Sequence, residues 1–202
     1  MAFITLQEAR TKGIQARSRM TRRADTVLSE ESALAKSHPS TQKWDIFLSH
    51  SMTDADVVLG VKRILEEEGG VKVFVDWVEH PQLDRSKVKP EVADMLRQSM
   101  KASSSLVFAT SETSPSSKWM PWELGYFDGL KGGEKVAILP LVESTHGSFV
   151  GQEYLQLYRK VERVENLVEG SGPSSRYVGR ALAVEGSVRG VAPRASLKSF
   201  VR

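Results

Sequence analysis

The sequence contains no cysteine. Disulfides, thiolate zinc sites and cysteine nucleophiles are therefore excluded. Long apolar runs are missing too. Ile46 to Leu48 and Val136 to Leu141 are far shorter than the roughly 20 residues that span a bilayer, so no membrane span is expected. Residues 1–30 carry no apolar stretch of the signal-peptide kind, and a cytoplasmic location is expected. His38, His80 and His146 do not stand at metal-ligand spacing, so no metal site is expected. Neither a Gly-x-Gly-x-x-Gly run nor a P-loop occurs, which argues against a dinucleotide dehydrogenase or an NTPase.

What is present is ordinary for one soluble domain with appendages: 202 residues, 40% hydrophobic and 26% charged. The net charge of +3 is unevenly spread. Residues 1–43 carry 8 basic and 4 acidic side chains, residues 44–142 carry 11 and 15, and residues 143–202 carry 9 and 6. An acidic middle between basic ends argues against nucleic-acid binding, where positive charge gathers on the folded domain.

Segment 5–36 reads as helix. Thr5 and Glu8 form a capping-box pair at its start, although Gly13 weakens the propensity and the apolar stripe is ragged. Ser37-His38-Pro39-Ser40-Thr41 reads as a linker. From Trp44 the pattern alternates. Strands are expected at Trp44–Ser49, Val71–Val75, Ser105–Thr110 and Val136–Leu141. Helices are expected at Asp54–Glu68, from Pro90 through Met100, and at Trp119–Leu130. Short apolar strands separated by helices imply a parallel sheet covered on both faces. Ligands in such sheets bind outside the carboxyl ends of the strands, here Ser49-His50-Ser51, Asp76-Trp77 and Ser111 onward. Tyr154 to Val164 suits an edge strand or a short helix. Residues 166–202 read as a basic, weakly ordered tail.

Four pieces then carry a resemblance. Trp44-Asp45-Ile46-Phe47-Leu48-Ser49-His50-Ser51 resembles the opening strand of a Toll/interleukin-1 receptor (TIR) domain. Val73-Phe74-Val75-Asp76 is similar to that family's second strand and the start of its long loop. Ser117-Lys118-Trp119-Met120-Pro121-Trp122-Glu123-Leu124 is similar to the family's Ser-x-Trp-Cys-Leu-x-Glu-Leu stretch, with Met120 and Pro121 replacing Cys-Leu. Val136 to Pro140 is similar to the fourth strand. The resemblance implies a flavodoxin-like α/β TIR domain over residues 43–165, with a central parallel five-stranded sheet and helices on both faces. Residues 1–42 stand outside it as a helical extension and linker.

Many bacterial and plant TIR domains cleave NAD+ at the nicotinamide–ribose bond with the glutamate of a Trp-x-x-x-Glu motif. Trp119 and Glu123 stand in that relation. The resemblance therefore implies an NAD+ glycohydrolase or cyclase with Glu123 catalytic and NAD+ as substrate, not cofactor. It implies substrate contacts from Trp119, Ser49, His50, Ser51, Asp76 and Trp77. The chemistry is coherent. Nicotinamide is a cationic leaving group that needs no protonation, and a carboxylate can stabilise the oxocarbenium character left on the ribose. Each residue also has a plainer reading. Glu123 can interact with the helix dipole, Trp119 can be core, and His50 can be a hydrogen-bonded structural histidine. Asp76 can order its loop. Trp122 and Tyr126 read as packing. Two other functions stay open: a non-catalytic adaptor acting by homotypic assembly, and a nucleoside deoxyribosyltransferase-like enzyme.

Asp76 to Lys89 is long for a strand–helix connection, and long loops in compact domains tend to be functional. In catalytic relatives the corresponding loop packs against a neighbouring TIR domain. Trp77 is the kind of anchor that dominates interfaces. The expected outcome is that initial rate per mole of enzyme rises with protein concentration, and that Trp77→Ala flattens the rise. A dilution series with light scattering in parallel checks it; a constant specific rate from a protein that stays monomeric contradicts it.

Overall fold

The computed structural model describes residues 2–37, 43–76, 90–112, 117, 119–144, 149, 151–169, 176–185 and 195–202. Trp77, the rest of the loop to Lys89, and His38, His80 and His146 lie outside the described residues.

The chain opens with a two-residue strand β1 (Ile4–Thr5), then helices α1 (Leu6–Met20) and α2 (Ala24–Ser37). The alternating region follows as β2 (Trp44–His50), α3 (Ala55–Gly69), β3 (Val73–Val75), α4 (Pro90–Lys101), β4 (Ser103–Thr110), α5 (Trp119–Lys131) and β5 (Val136–Val142). A 3₁₀ turn at Glu153–Leu157 leads into β6 (Arg159–Glu169), so the segment after residue 150 holds both a short helix and a strand. The chain ends with β7 (Arg176–Glu185), β8 (Ala195–Ser196) and α6 (Leu197–Phe200).

The strands lie in the order β3-β2-β4-β5-β6-β7-β8. The first five are mutually parallel and form the expected flavodoxin-like sheet. β7 and β8 extend it antiparallel, and β1 pairs with the end of β5. Side-chain alternation divides the core into two layers. Ile46, Leu48, Val73, Val75, Val107 and Leu139 face α1 and α3. Phe47, Phe74, Leu106, Phe108 and Ile138 face α4 and α5.

α3 shows how local chemistry sets the ends. Asp54 Oδ1 accepts from the amides of Asp56 and Val57, and Gly70 closes the helix at φ 64° with its N–H on the Glu66 carbonyl. At the other end of the chain, Thr5 Oγ1 accepts from the Glu8 amide at 3.0 Å and caps α1.

Two expectations are corrected. The single helix over 5–36 is two helices, because Thr21 takes a left-handed conformation at φ 55° and its N–H turns back to the carbonyls of Arg17 and Ser18. The expected weakly ordered tail is also structural: among its described residues, Leu182, Val184, Leu197, Phe200 and Val201 are buried in the α1–α3 layer. Their apolar side chains are thereby removed from water.

The N-terminal helices are integral to this layer. Arg163 on β6 is 5% exposed and grips Glu68 of α3 through Nε and Nη2 at 2.8 and 3.0 Å. Its Nη2 also meets Glu8 of α1 at 2.8 Å. α2 is tied to α3 by Glu31, which binds Lys62 at 3.0 Å and Arg63 at 2.5 Å. Burial alone raises the Glu31 carboxyl, but the two cations and their hydrogen bonds outweigh it and hold the group below its ordinary value of 4.5.

α1 crosses α3 on glycine. A Cβ on Gly60 would lie 1.7 Å from the Ala9 carbonyl oxygen, and one on Gly13 would lie 1.9 Å from the Asp56 carbonyl oxygen. Neither backbone can yield alone. Gly13 therefore weakens the helix locally and permits the crossing. Gly60→Ala is expected to destabilise by about 3 kcal/mol through overpacking, a fall in Tm of roughly 6–12 °C. Gly125→Ala on α5 meets open space and is expected to stabilise by about 0.5–1 kcal/mol. Calorimetric melting of the two variants side by side checks both signs.

Candidate active site

The site forms where β2 ends and α5 begins. Phe47 and Ser49 share one side of the strand, and Phe47 already packs in the α4–α5 layer. Ser49 is therefore aimed at α5. Its hydroxyl donates to Glu123 Oε2 at 2.6 Å, a short charge-assisted bond between two side chains 74 residues apart. Ser49 is 1% exposed and Glu123 7%. A carboxylate this deep is held in place by donors, since burying it bare is costly.

Glu123 is presented by the first turns of α5. Ser117 Oγ accepts from the amides of Trp119 and Met120, both at 3.2 Å, and caps the helix. Pro121 sits in the first turn, where a missing N–H does no harm. Trp119 begins the helix one turn before Glu123, half-buried against the α4–α5 layer. Its ring meets Trp122 edge-on at 5.3 Å; Trp122 stacks on Tyr126 at 5.7 Å, and the Arg97 guanidinium lies 5.4 Å from the Trp122 centroid. Trp122 and Tyr126 thus pack, as their sequence pattern suggests.

Asp76 follows β3, whose Val75 pairs with Leu48. Asp76 therefore stands just past the carboxyl end of β3, next to the end of β2 that carries Ser49. His50, 7% exposed, has the parity of Ile46 and Leu48, which face α1 and α3. The structure thus brings Ser49, Trp119 and Glu123 together on the α5 side, leaves Ser51 and Asp76 just past the ends of β2 and β3, and sets His50 at the strand end with the opposite parity. Trp77 lies outside the described residues.

On the β4–β5 side of Glu123 lies a cleft of about 380 Å³. Phe108, Met120, Phe149 and Leu155 give it apolar walls, and Ser51, Thr110, Ser111, Glu112, Ser117 and Tyr154 give it polar ones. Sequence reasoning missed this cleft. Phe149 and Tyr154 follow β5, and no sequence spacing ties them to β4, so only the fold brings them beside it. The Tyr154 hydroxyl is buried and has no hydrogen-bond partner among the described residues. Burial pushes that hydroxyl above its ordinary value.

A family model described as a TIR domain matches residues 46–168. The chain belongs to the TIR-domain family. Among curated proteins it is similar to one from Bacillus cereus (strain MSX-D12) named "Probable 3' cyclic ADP-D-ribose synthase ThsB'". The two are 53% identical over 129 residues, which is 63% of this chain and 65% of that protein. The similarity thus spans a little under two thirds of the relative's length. Among the described residues no helix is long and apolar enough to cross a membrane.

Ser49→Ala removes one donor from a buried carboxylate. Losing a hydrogen bond to a charged group costs about 1.5–3 kcal/mol, a fall in Tm of roughly 3–12 °C for a chain this size. Ser49→Thr keeps the hydroxyl and is expected to recover part of the loss. Thermal melting of both variants checks this; an unchanged Tm in the alanine variant shows that the bond carries nothing.

Proposed function

We propose that the protein cleaves NAD+ at the nicotinamide–ribose bond, as a glycohydrolase or a cyclase. The observation that carries the reading is the Ser49–Glu123 pair, 2.6 Å apart and nearly buried at the carboxyl end of a parallel strand. The 53% identical relative, whose name includes cyclic ADP-D-ribose synthase, supports it.

The reaction needs little from the protein. The nicotinamide ring leaves with the electron pair of the glycosidic bond and becomes neutral, so no acid is required. Positive charge moves to the ribose C1 and ring oxygen. Glu123, fixed by Ser49, accepts hydrogen bonds from ribose hydroxyls and stabilises that charge in a water-poor site. Trp119 contributes an aromatic wall attractive to the cationic ring. Asp76 and Ser51 flank the ribose, and His50 shapes the strand end. Water then adds to C1 and releases a proton to give ADP-ribose. Alternatively, a nucleophilic atom of the same molecule adds to give a cyclic isomer. NAD+ is the substrate and no resident cofactor takes part. The setting is the cytoplasm, in bacterial antiphage defence or as an effector, with homotypic contacts through residues 76–89 completing the active form.

Glu123→Gln keeps the size and an acceptor for Ser49 but removes the charge. Nicotinamide release, followed by chromatography, is expected to fall at least about 100-fold, the scale of one preorganised transition-state contact. Melting should stay close to the parent. A folded Glu123→Gln variant with parent-like turnover contradicts the assignment, and a parent protein that releases no nicotinamide favours an adaptor.

A further inference from the structure

We propose that the cleft on the β4–β5 side of Glu123 seats the adenosine half of the dinucleotide, with Tyr154 and Glu112 as its polar contacts. This deepens the NAD+-cleaving reading and rests on it.

Position comes first. Ser51 on the cleft wall is two residues beyond Ser49, just past the end of β2, and Met120 on the cleft wall is one turn before Glu123. A ligand in the cleft thus lies beside the helix turn that carries the carboxylate. Asp76 stands on the opposite side, beyond β2 at the end of β3. Trp119 does not line the cleft; its ring turns to Trp122. The nicotinamide riboside end therefore has its groups on the β3 side, and the remaining half of the molecule is directed into the cleft.

Size and chemistry agree. About 380 Å³ lies within the range of pockets that hold small ligands. Phe108, Phe149 and Met120 offer flat apolar surface suited to a purine. Glu112 is the only charged residue among the described lining residues. A carboxylate repels a pyrophosphate and accepts from the hydroxyls of a ribose or the amine of adenine. The buried Tyr154 hydroxyl has no partner among the described residues. Buried polar groups are nearly always satisfied, and adenosine offers both donors and acceptors.

The test uses the full chain with three probes: adenosine alone, NAD+, and nicotinamide mononucleotide, which carries the scissile bond but lacks the adenosine half. Adenosine is expected to bind the parent protein by ligand-observed NMR, and Tyr154→Phe and Glu112→Gln are each expected to weaken it about 2- to 10-fold, one hydrogen bond's worth. In turnover, the preference for NAD+ over nicotinamide mononucleotide, as a ratio of kcat/KM values, should fall by a similar factor in each variant. An adenosine signal missing from the parent or unaltered in both variants overturns the proposal. So does an unchanged preference ratio, which would put nicotinamide in the cleft instead. If adenosine binding responds as expected but neither substrate is cleaved, the cleft assignment stands and the catalytic reading falls.

Discussion

The hydrogen bond from Ser49 to Glu123 is the constraint on which the site depends. It spans two layers of the fold, from the last turnward-facing residue of a central strand to the second turn of a covering helix. For it to form at 2.6 Å, three things must be right together. β2 must keep the register that points Phe47 and Ser49 to the same side. α5 must begin where Ser117 caps it. The Phe47, Phe74, Phe108, Leu124 and Phe127 packing between them must set the spacing. A buried carboxylate makes these demands strict, because its cost is met only by donors at hydrogen-bond distance. Precision at the site is thus a by-product of core packing on one face of the sheet.

The opposite face does different work. There α1, α3 and the C-terminal elements converge on Arg163, which joins α1, α3 and β6 through two carboxylates. Buried ion networks of this kind are weak evidence for stability but suit the fixing of one arrangement over others. The glycine crossing of α1 on α3 acts the same way, since only one register lets Gly13 and Gly60 accept the facing carbonyls. α2 packs beside β3, the edge strand of the sheet. At the far end the sheet closes on the two-residue β8.

Much of this was legible in the sequence. The strands read at Trp44–Ser49 and Val136–Leu141, the helix read over Asp54–Glu68 and the spacing of Trp119 to Glu123 are local signals, and local signals survive into the structure. The missing parts are those written in contacts between distant residues. Thr21 has no residue-type signal for a left-handed break. Gly13 looks like a defect until Asp56 is seen against it. Leu182, Val184, Leu197 and Phe200 sit in a glycine-rich, basic stretch whose composition suggests disorder, yet their apolar side chains are buried in the α1–α3 layer. Ser49 was legible as a strand end but not as the partner of Glu123, because no spacing rule links residues 74 positions apart. The cleft was invisible for the same reason.

The asymmetry of the two faces accounts for where chemistry resides. Apolar side chains from α1, α3, β7 and α6 fill the first face, and ion pairs tie its helices together. On the second face α5 begins with a proline-bearing turn and presents Trp119, Trp122 and Tyr126 only partly buried. The space next to its first turn is left as a cleft beside the carboxyl ends of β2 and β4. Parallel strands bring those ends to one edge of the molecule, and the crossing point between β2 and β4 is where successive strands depart to opposite sides of the sheet order. A single helix start, capped by Ser117 and carrying Glu123 inward, is sufficient to turn that topological gap into a site with one buried charge. The rest of the chain fixes the distance across the gap.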